Sequence, residues 1–272
     1  MAEIIGIYAA SHTPVMLNFA DAAEAPVREE VFAAFRELGR DIAAGRPQAL
    51  VVMCDDHVHN FFLNNMPAIC IGAADAYPTP VEHWLKAEKR VLPGDQALGA
   101  HLLQRALRED FDPALSMDLT LDHGILTPLE LAGVPRDIPL VPILLNCVQP
   151  PLPSMARMHK FGTWLGRALR EYPGLERVAV LATGGLSHDL STPRMGMVNE
   201  AFDREFLRLL EAGDAAGAVR HADEHVHEAG NGGEEVRMWL AAAGVAGKAP
   251  FHTRCYRAVE KWYTGIGIGH WA

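Results

Sequence analysis

The chain has 272 residues, of which 49% are hydrophobic and 21% charged. That is enough material for a buried core and unlike a disordered or low-complexity segment. The net charge of -10 opposes phosphate backbones, and beyond a short stretch from Lys86 to Arg90 there is no basic cluster, so nucleic acid is not expected as a partner.

The N-terminal stretch MAEIIGIYAASHTP carries an acidic residue where a signal peptide carries basic ones. No apolar run reaches the ~18 residues of a membrane span. The expectation is a soluble, cytoplasmic protein with no membrane partner. Residues 4–9 read as a strand that runs into Ser11-His12-Thr13-Pro14. Residues 25–44 place Val27, Val31, Phe32, Phe35, Leu38 and Ile42 close to a 3.6 period, with Pro47 beyond, and predict a helix against the sheet. A strand over 49–53 runs into Asp55-Asp56-His57-Val58-His59, and a further strand covers 68–71. A helix over 95–109 follows, and Leu121-Asp122-His123-Gly124 then sets a histidine in a turn before another helix. A strand at 140–145, a helix at 155–171 and a strand at 177–182 lead into Gly184-Gly185-Leu186-Ser187-His188. Helical patterns cover 199–211 and 215–243, the latter broken by Gly230-Asn231-Gly232-Gly233. The aromatic, Gly-rich tail after Pro250 is expected to fold back over the core. Strands and helices interleave, without repeats or linkers, which predicts one domain over 1–272 of the α/β class, a mostly parallel central sheet flanked by helices.

Four cysteines, Cys54, Cys70, Cys147 and Cys255, form no CxxC pair and read as buried free thiols. The 13 histidines are more telling. In open α/β sheets the ligand crevice lies at the carboxyl ends of strands, and three predicted strands deliver His12, His57 and His188 there. One loop histidine is most often simply hydrogen-bonded. Three at one crevice bind a metal through neutral nitrogens or move protons near neutral pH. A site on His12 and His57 would need a carboxylate to complete a face, and Glu235, after the Gly232-Gly233 turn, is the candidate. An acidic residue in a first helical turn is also favoured by the helix dipole alone. Two histidines and one carboxylate with an open face form the facial triad of non-haem Fe(II) oxygenases. Two other patterns compete. His57-Val58-His59 would set two imidazoles on one side of a strand, as a zinc hydrolase could use. His221-Ala222-Asp223-Glu224-His225 matches H-x-x-E-H but sits in an acidic helix that reads as a solvated face.

Taken together, SHTP at 11–14, DHVHNFF at 56–62, MPAICIG at 66–72, DHG at 122–124, GGLSH at 184–188 and EVRMW at 235–239 resemble the LigB family of class III extradiol dioxygenases, in order along the chain. The resemblance implies ring cleavage of a catechol-type small molecule by O2, with Fe(II) held by His12, His57 and Glu235. It further implies that His188 is the base for the substrate hydroxyl, and that His123 is a second acid/base or hydrogen-bond donor beside substrate and O2. Glu235 rather than Glu234 keeps the family's four-residue spacing to Trp239, and His59 has no consistent counterpart. The stretch after His188 resembles the protocatechuate branch, and HNFFLNNMPAICIG the dihydroxyphenylpropionate branch. The protocatechuate branch works with a small lid subunit, so the expected partner is either a second copy in a homo-oligomer or such a lid. A non-catalytic partner subunit or scaffold of the same fold stands as the alternative, with the zinc hydrolase behind it.

Overall fold

The computed structural model describes residues 1–272. Ten strands and eight helices follow in the order β1 (Glu3–Ala10), α1 (Val15–Asn18), α2 (Ala25–Gly45), β2 (Ala49–Cys54), β3 (Ile69–Gly72), β4 (Ala76–Thr79), β5 (Arg90–Pro93), α3 (Gln96–Ala106), β6 (Ala114–Ser116), α4 (His123–Ala132), β7 (Leu140–Leu145), α5 (Met155–Arg170), β8 (Arg177–Thr183), α6 (Glu200–Glu211), α7 (Ala215–His225), α8 (Val236–Ala246), β9 (Phe251–Val259) and β10 (Thr264–Trp271). Eight strands form one sheet in the order β6-β3-β7-β2-β8-β1-β10-β9, and β4 and β5 make a separate hairpin. The pairs β1/β8, β8/β2, β2/β7 and β3/β6 are parallel. The pairs β3/β7, β1/β10 and β10/β9 are antiparallel.

The central strands are continuous apolar runs because both faces are covered, as expected of a parallel sheet. In β2 every residue is buried. Val51 and Met53 enter one core with Phe161 and Leu165 of α5, whereas Leu50 and Val52 enter the other with Phe35 and Leu38 of α2. Helices α5 and α8 approach closely. A Cβ on Gly162 would stand 1.8 Å from the Ala241 carbonyl oxygen, so only glycine allows that contact.

The α/β reading of the order of elements agrees with this architecture, and the four cysteines are buried and free. No helix is long and apolar enough to cross a membrane. Two local expectations are corrected. The tail forms β9 and β10, which extend the sheet beside β1 and so complete its edge. His57-Val58-His59 is no strand, since β2 ends at Cys54 and the backbone at Val58 turns through a φ of 60°. A left-handed β-branched residue reverses the local direction, and the two imidazoles part company.

Candidate active site

Strands β1, β2 and β8 lie side by side and end at the same rim. The residues that follow them, His12, His57 and His188, line one cavity of about 310 Å³ together with His123 and Glu235. All five residues singled out from the sequence therefore meet. His123 is the first residue of α4, held there by the Asp122 cap whose carboxylate accepts from the Gly124 N–H at 2.9 Å.

Each imidazole is tethered through Nδ1. His57 Nδ1 lies 2.9 Å from Asp122 Oδ2, His123 Nδ1 lies 2.6 Å from Glu82 Oε1, and His188 Nδ1 lies 2.9 Å from the Leu186 carbonyl. A carbonyl or ionised carboxylate only accepts, so in the neutral ring each of these Nδ1 atoms carries the proton and Nε2 keeps the lone pair. His12 Nδ1 lies 3.3 Å from the Thr183 hydroxyl, which itself donates to the Met53 carbonyl at 3.5 Å. The same tautomer follows. Such outer partners orient ligand imidazoles and fix which nitrogen faces a metal.

The free nitrogens gather on Glu235. His12 Nε2 is 3.2 Å from Oε2, His188 Nε2 is 3.4 Å from Oε1 and His57 Nε2 is 4.0 Å from Oε1. Glu235 is itself fixed by the Gly185 N–H, which donates to Oε2 at 2.5 Å, while the Trp239 indole donates to the Gly184 carbonyl at 2.9 Å. The spacing from Glu235 to Trp239 thus locks carboxylate and glycine loop together. Gly232 is required for a steric reason: a Cβ there would stand 1.9 Å from His188 Nε2.

A second carboxylate was not picked out from the sequence. Asp55 is buried, and its Oδ2 lies 3.3 Å from His57 Nε2 without forming a hydrogen bond. Ligand atoms of His12, Asp55, His57 and Glu235 all lie within 4.8 Å of one another. Two buried carboxylates, one with an unpartnered oxygen, and two imidazole lone pairs fit a divalent cation. The titration behaviour of the metal-free cluster has the same origin. Burial opposes charge on His57, yet the Asp55 and Asp122 carboxylates hold its pKa well above the ordinary value. Burial would likewise raise Glu235, but the His12 and His188 imidazoles hold it well below the usual carboxylate range. The cluster draws in positive charge.

Glu82 and His59 explain the second part of the site. Glu82 Oε1 accepts from the His123 N–H at 3.0 Å and lies 3.3 Å from His59 Nε2. His59 therefore backs the His123–Glu82 pair and stands apart from His57, which removes the basis for a His57/His59 zinc pair. Burial, followed by the charge of His57, pushes His123 down to about 4, so it is neutral near pH 7. Replacing Glu82 by glutamine is expected to lower turnover by about 10- to 100-fold while any bound metal is retained, because it loosens the tether of the His123 imidazole. Steady-state kinetics alongside metal analysis checks this.

His188 depends on a similar buried support. Asp203 accepts from the Ser187 N–H and hydroxyl, both at 2.8 Å, and from the Tyr256 hydroxyl at 2.8 Å. Burial nevertheless raises its pKa to about 6. Between about pH 4 and this value the folded chain binds a proton that the unfolded chain has released. Stability from Asp203 is thus fully present below about pH 4 and is lost as pH rises through about 6, on the order of 1–3 kcal/mol. Melting temperatures from pH 4 to 7 should show that slope relative to Asp203→Asn, which keeps a polar amide without the charge. Parallel curves for the two proteins would refute it.

The remaining patterns lie elsewhere. His221 Nε2 bonds the Phe202 carbonyl at 3.1 Å, His225 Nδ1 bonds Glu228 at 2.9 Å, and neither belongs to a cluster able to hold a metal. Asp122 and Asp55 could have been suspected from their places before His123 and after β2. Glu82, 41 residues from its partner in sequence, carries no such signal.

A 2,3-dihydroxyphenylpropionate/2,3-dihydroxicinnamic acid 1,2-dioxygenase of Paraburkholderia xenovorans is 31% identical over 96% of this chain and 95% of its own length. The protein of that name from Burkholderia vietnamiensis is 30% identical over the same shares. An uncharacterized protein of Escherichia coli K12 superposes with a TM-score of 0.67 at 18% identity, covering 98% of this chain and all of its own, and so shares the fold. The family model described as the catalytic LigB subunit of aromatic ring-opening dioxygenase matches residues 6–269. With that match running from β1 through β10, the chain belongs to the LigB family and is an extradiol dioxygenase.

Proposed function

We propose that the enzyme cleaves a catechol-type substrate at an Fe(II) centre held by His12, His57 and Glu235, with His188 as base and His123 as acid or hydrogen-bond donor. The observation that carries this reading is the set of Nδ1-tethered imidazoles whose free nitrogens surround one buried carboxylate at the cavity floor. When bound, the metal supplies a chelation point for a diol and a path for electrons between diol and O2. The Asp55 carboxylate, close to His12 and His57, would add to the negative charge that offsets the metal's own.

His188 Nε2 is the lone pair that takes the proton of the substrate hydroxyl. Its Nδ1–H on the Leu186 carbonyl keeps the ring oriented as the proton arrives. His123, neutral and fixed by Glu82, leaves its other nitrogen for the same cavity. Acid/base groups so placed contribute roughly 10²- to 10⁴-fold each. Trp84 and Tyr263 wall the cavity and restrict water. The relatives' names support a 2,3-dihydroxyphenyl compound as the substrate type, with protocatechuate-, gallate- and aminophenol-like rings as the wider set. Exposed Leu190 and Met195 at the rim support closure by a second copy or a small lid subunit.

Anaerobically purified protein loaded with Fe(II) is expected to consume O2 with a catechol panel and form a yellow ring-opened product. Absence of uptake with every catechol, protocatechuate, gallate and aminophenol overturns the proposal.

A further inference from the structure

The cavity has two chemically different ends. Its floor holds the histidines and Glu235, while most of the remaining lining is Pro14, Val15, Trp84, Leu190, Met195 and Tyr263, with Thr13 and Thr264 as the other side chains. Neither lysine nor arginine lines it. The nearby cations are engaged elsewhere. Arg194 donates through Nε to Asp189 at 2.6 Å, and the two line a separate cavity. Lys86 donates to the Asn18 carbonyl at 2.6 Å and covers the Phe19 ring at 5.5 Å.

Electrostatics work in the same direction. Asp55, Glu82, Asp122 and Glu235 are all buried around the floor. A substituent carboxylate would therefore leave water for a wall of indole, phenol ring, thioether and aliphatic carbon, with no lysine or arginine to receive it and four carboxylates around the floor. An apolar substituent gains from the same wall. Size sets the limit: a cavity of ~150 Å³ holds benzene, and about 310 Å³ is available, room for the diol ring and one more group of ring size.

Resting on the ring-opening function above, we infer that the preferred substrate is an uncharged catechol bearing an apolar substituent about one ring in size, an aryl or branched alkyl group, with Trp84 and Met195 as specificity determinants. This differs from the carboxylated compounds in the names of the curated relatives. Met195 is exposed on one side at the rim, so a longer cationic side chain can be introduced there without disturbing the core.

The test measures kcat/KM of the Fe(II)-loaded enzyme for 3-phenylcatechol, 3-isopropylcatechol, 2,3-dihydroxyphenylpropionate and protocatechuate. Titration calorimetry of the same diols under nitrogen, with and without Fe(II), gives affinity independently of turnover. The uncharged diols are expected to lead by at least about tenfold in both measurements. Met195→Arg is expected to shift the ratio at least about tenfold toward 2,3-dihydroxyphenylpropionate, and Trp84→Ala to weaken 3-phenylcatechol more than unsubstituted catechol. Better turnover or tighter binding of the carboxylated diols by the unaltered enzyme overturns the inference and leaves ring opening intact. Turnover of none of them overturns the ring-opening function, while the calorimetric order still decides the preference for uncharged substituents.

Discussion

Glu235→Ala is expected to empty the protein of iron and to abolish ring opening, with metal affinity reduced by more than about 100-fold. The carboxylate is the one group in reach of three imidazoles: His12 at 3.2 Å, His188 at 3.4 Å and His57 at 4.0 Å. Its removal leaves the lone pairs of His12 and His57 with Asp55 alone, and a facial set with one member missing. Glu234→Ala is the matched control, because Glu234 pairs with Arg237 and touches none of the imidazoles. His59→Ala provides a second contrast, with smaller losses than either Glu235→Ala or His12→Ala. Iron per chain, measured on protein reconstituted without O2, separates these outcomes. Full iron occupancy in Glu235→Ala would remove this residue from the ligand set.

His188→Gln is expected to retain iron and to lose roughly 10²- to 10⁴-fold in kcat. Glutamine can occupy the space that Gly232 leaves beside the ring, yet it has no lone-pair nitrogen to accept a proton. In the metal-free chain, burial opposes protonation of His188, but the Glu235 carboxylate raises its pKa. A divalent cation held by Glu235 would neutralise that influence and favour the unprotonated ring. Metal binding and base formation would then be linked by one carboxylate. The variant should bind a substrate diol with little change in affinity, measured calorimetrically under nitrogen, while O2 consumption falls. Loss of iron in His188→Gln would instead make the residue a ligand.

His12, His57 and His188 were legible as candidates because the strands that deliver them are plain, whereas the roles of His123 and Glu235 came only from the family resemblance. The runs ALVVMC, LVPILL and RVAVLAT are apolar throughout, as strands buried on both faces must be, and a histidine follows two of them within a few residues. The terminal strands were harder. FHTRCYRAV and TGIGIGHW mix arginine and glycine with apolar residues, and they pair only because β1 offers a free edge to accept them. The adjacency of His57 and His59 in the sequence misled for a local reason, the left-handed turn at Val58.

The α/β class and the strand ends at which histidines gather were legible in the sequence alone. Tertiary structure alone decided which nitrogen of each imidazole is free, because the atoms that hold the other nitrogen come from Asp122, Glu82, Thr183 and the Leu186 carbonyl. Most of those contacts join distant parts of the chain, with 171 positions separating His12 from Thr183. No local periodicity records such a contact. It exists only once burial has brought the strand ends to one rim and left each polar atom there in need of a partner.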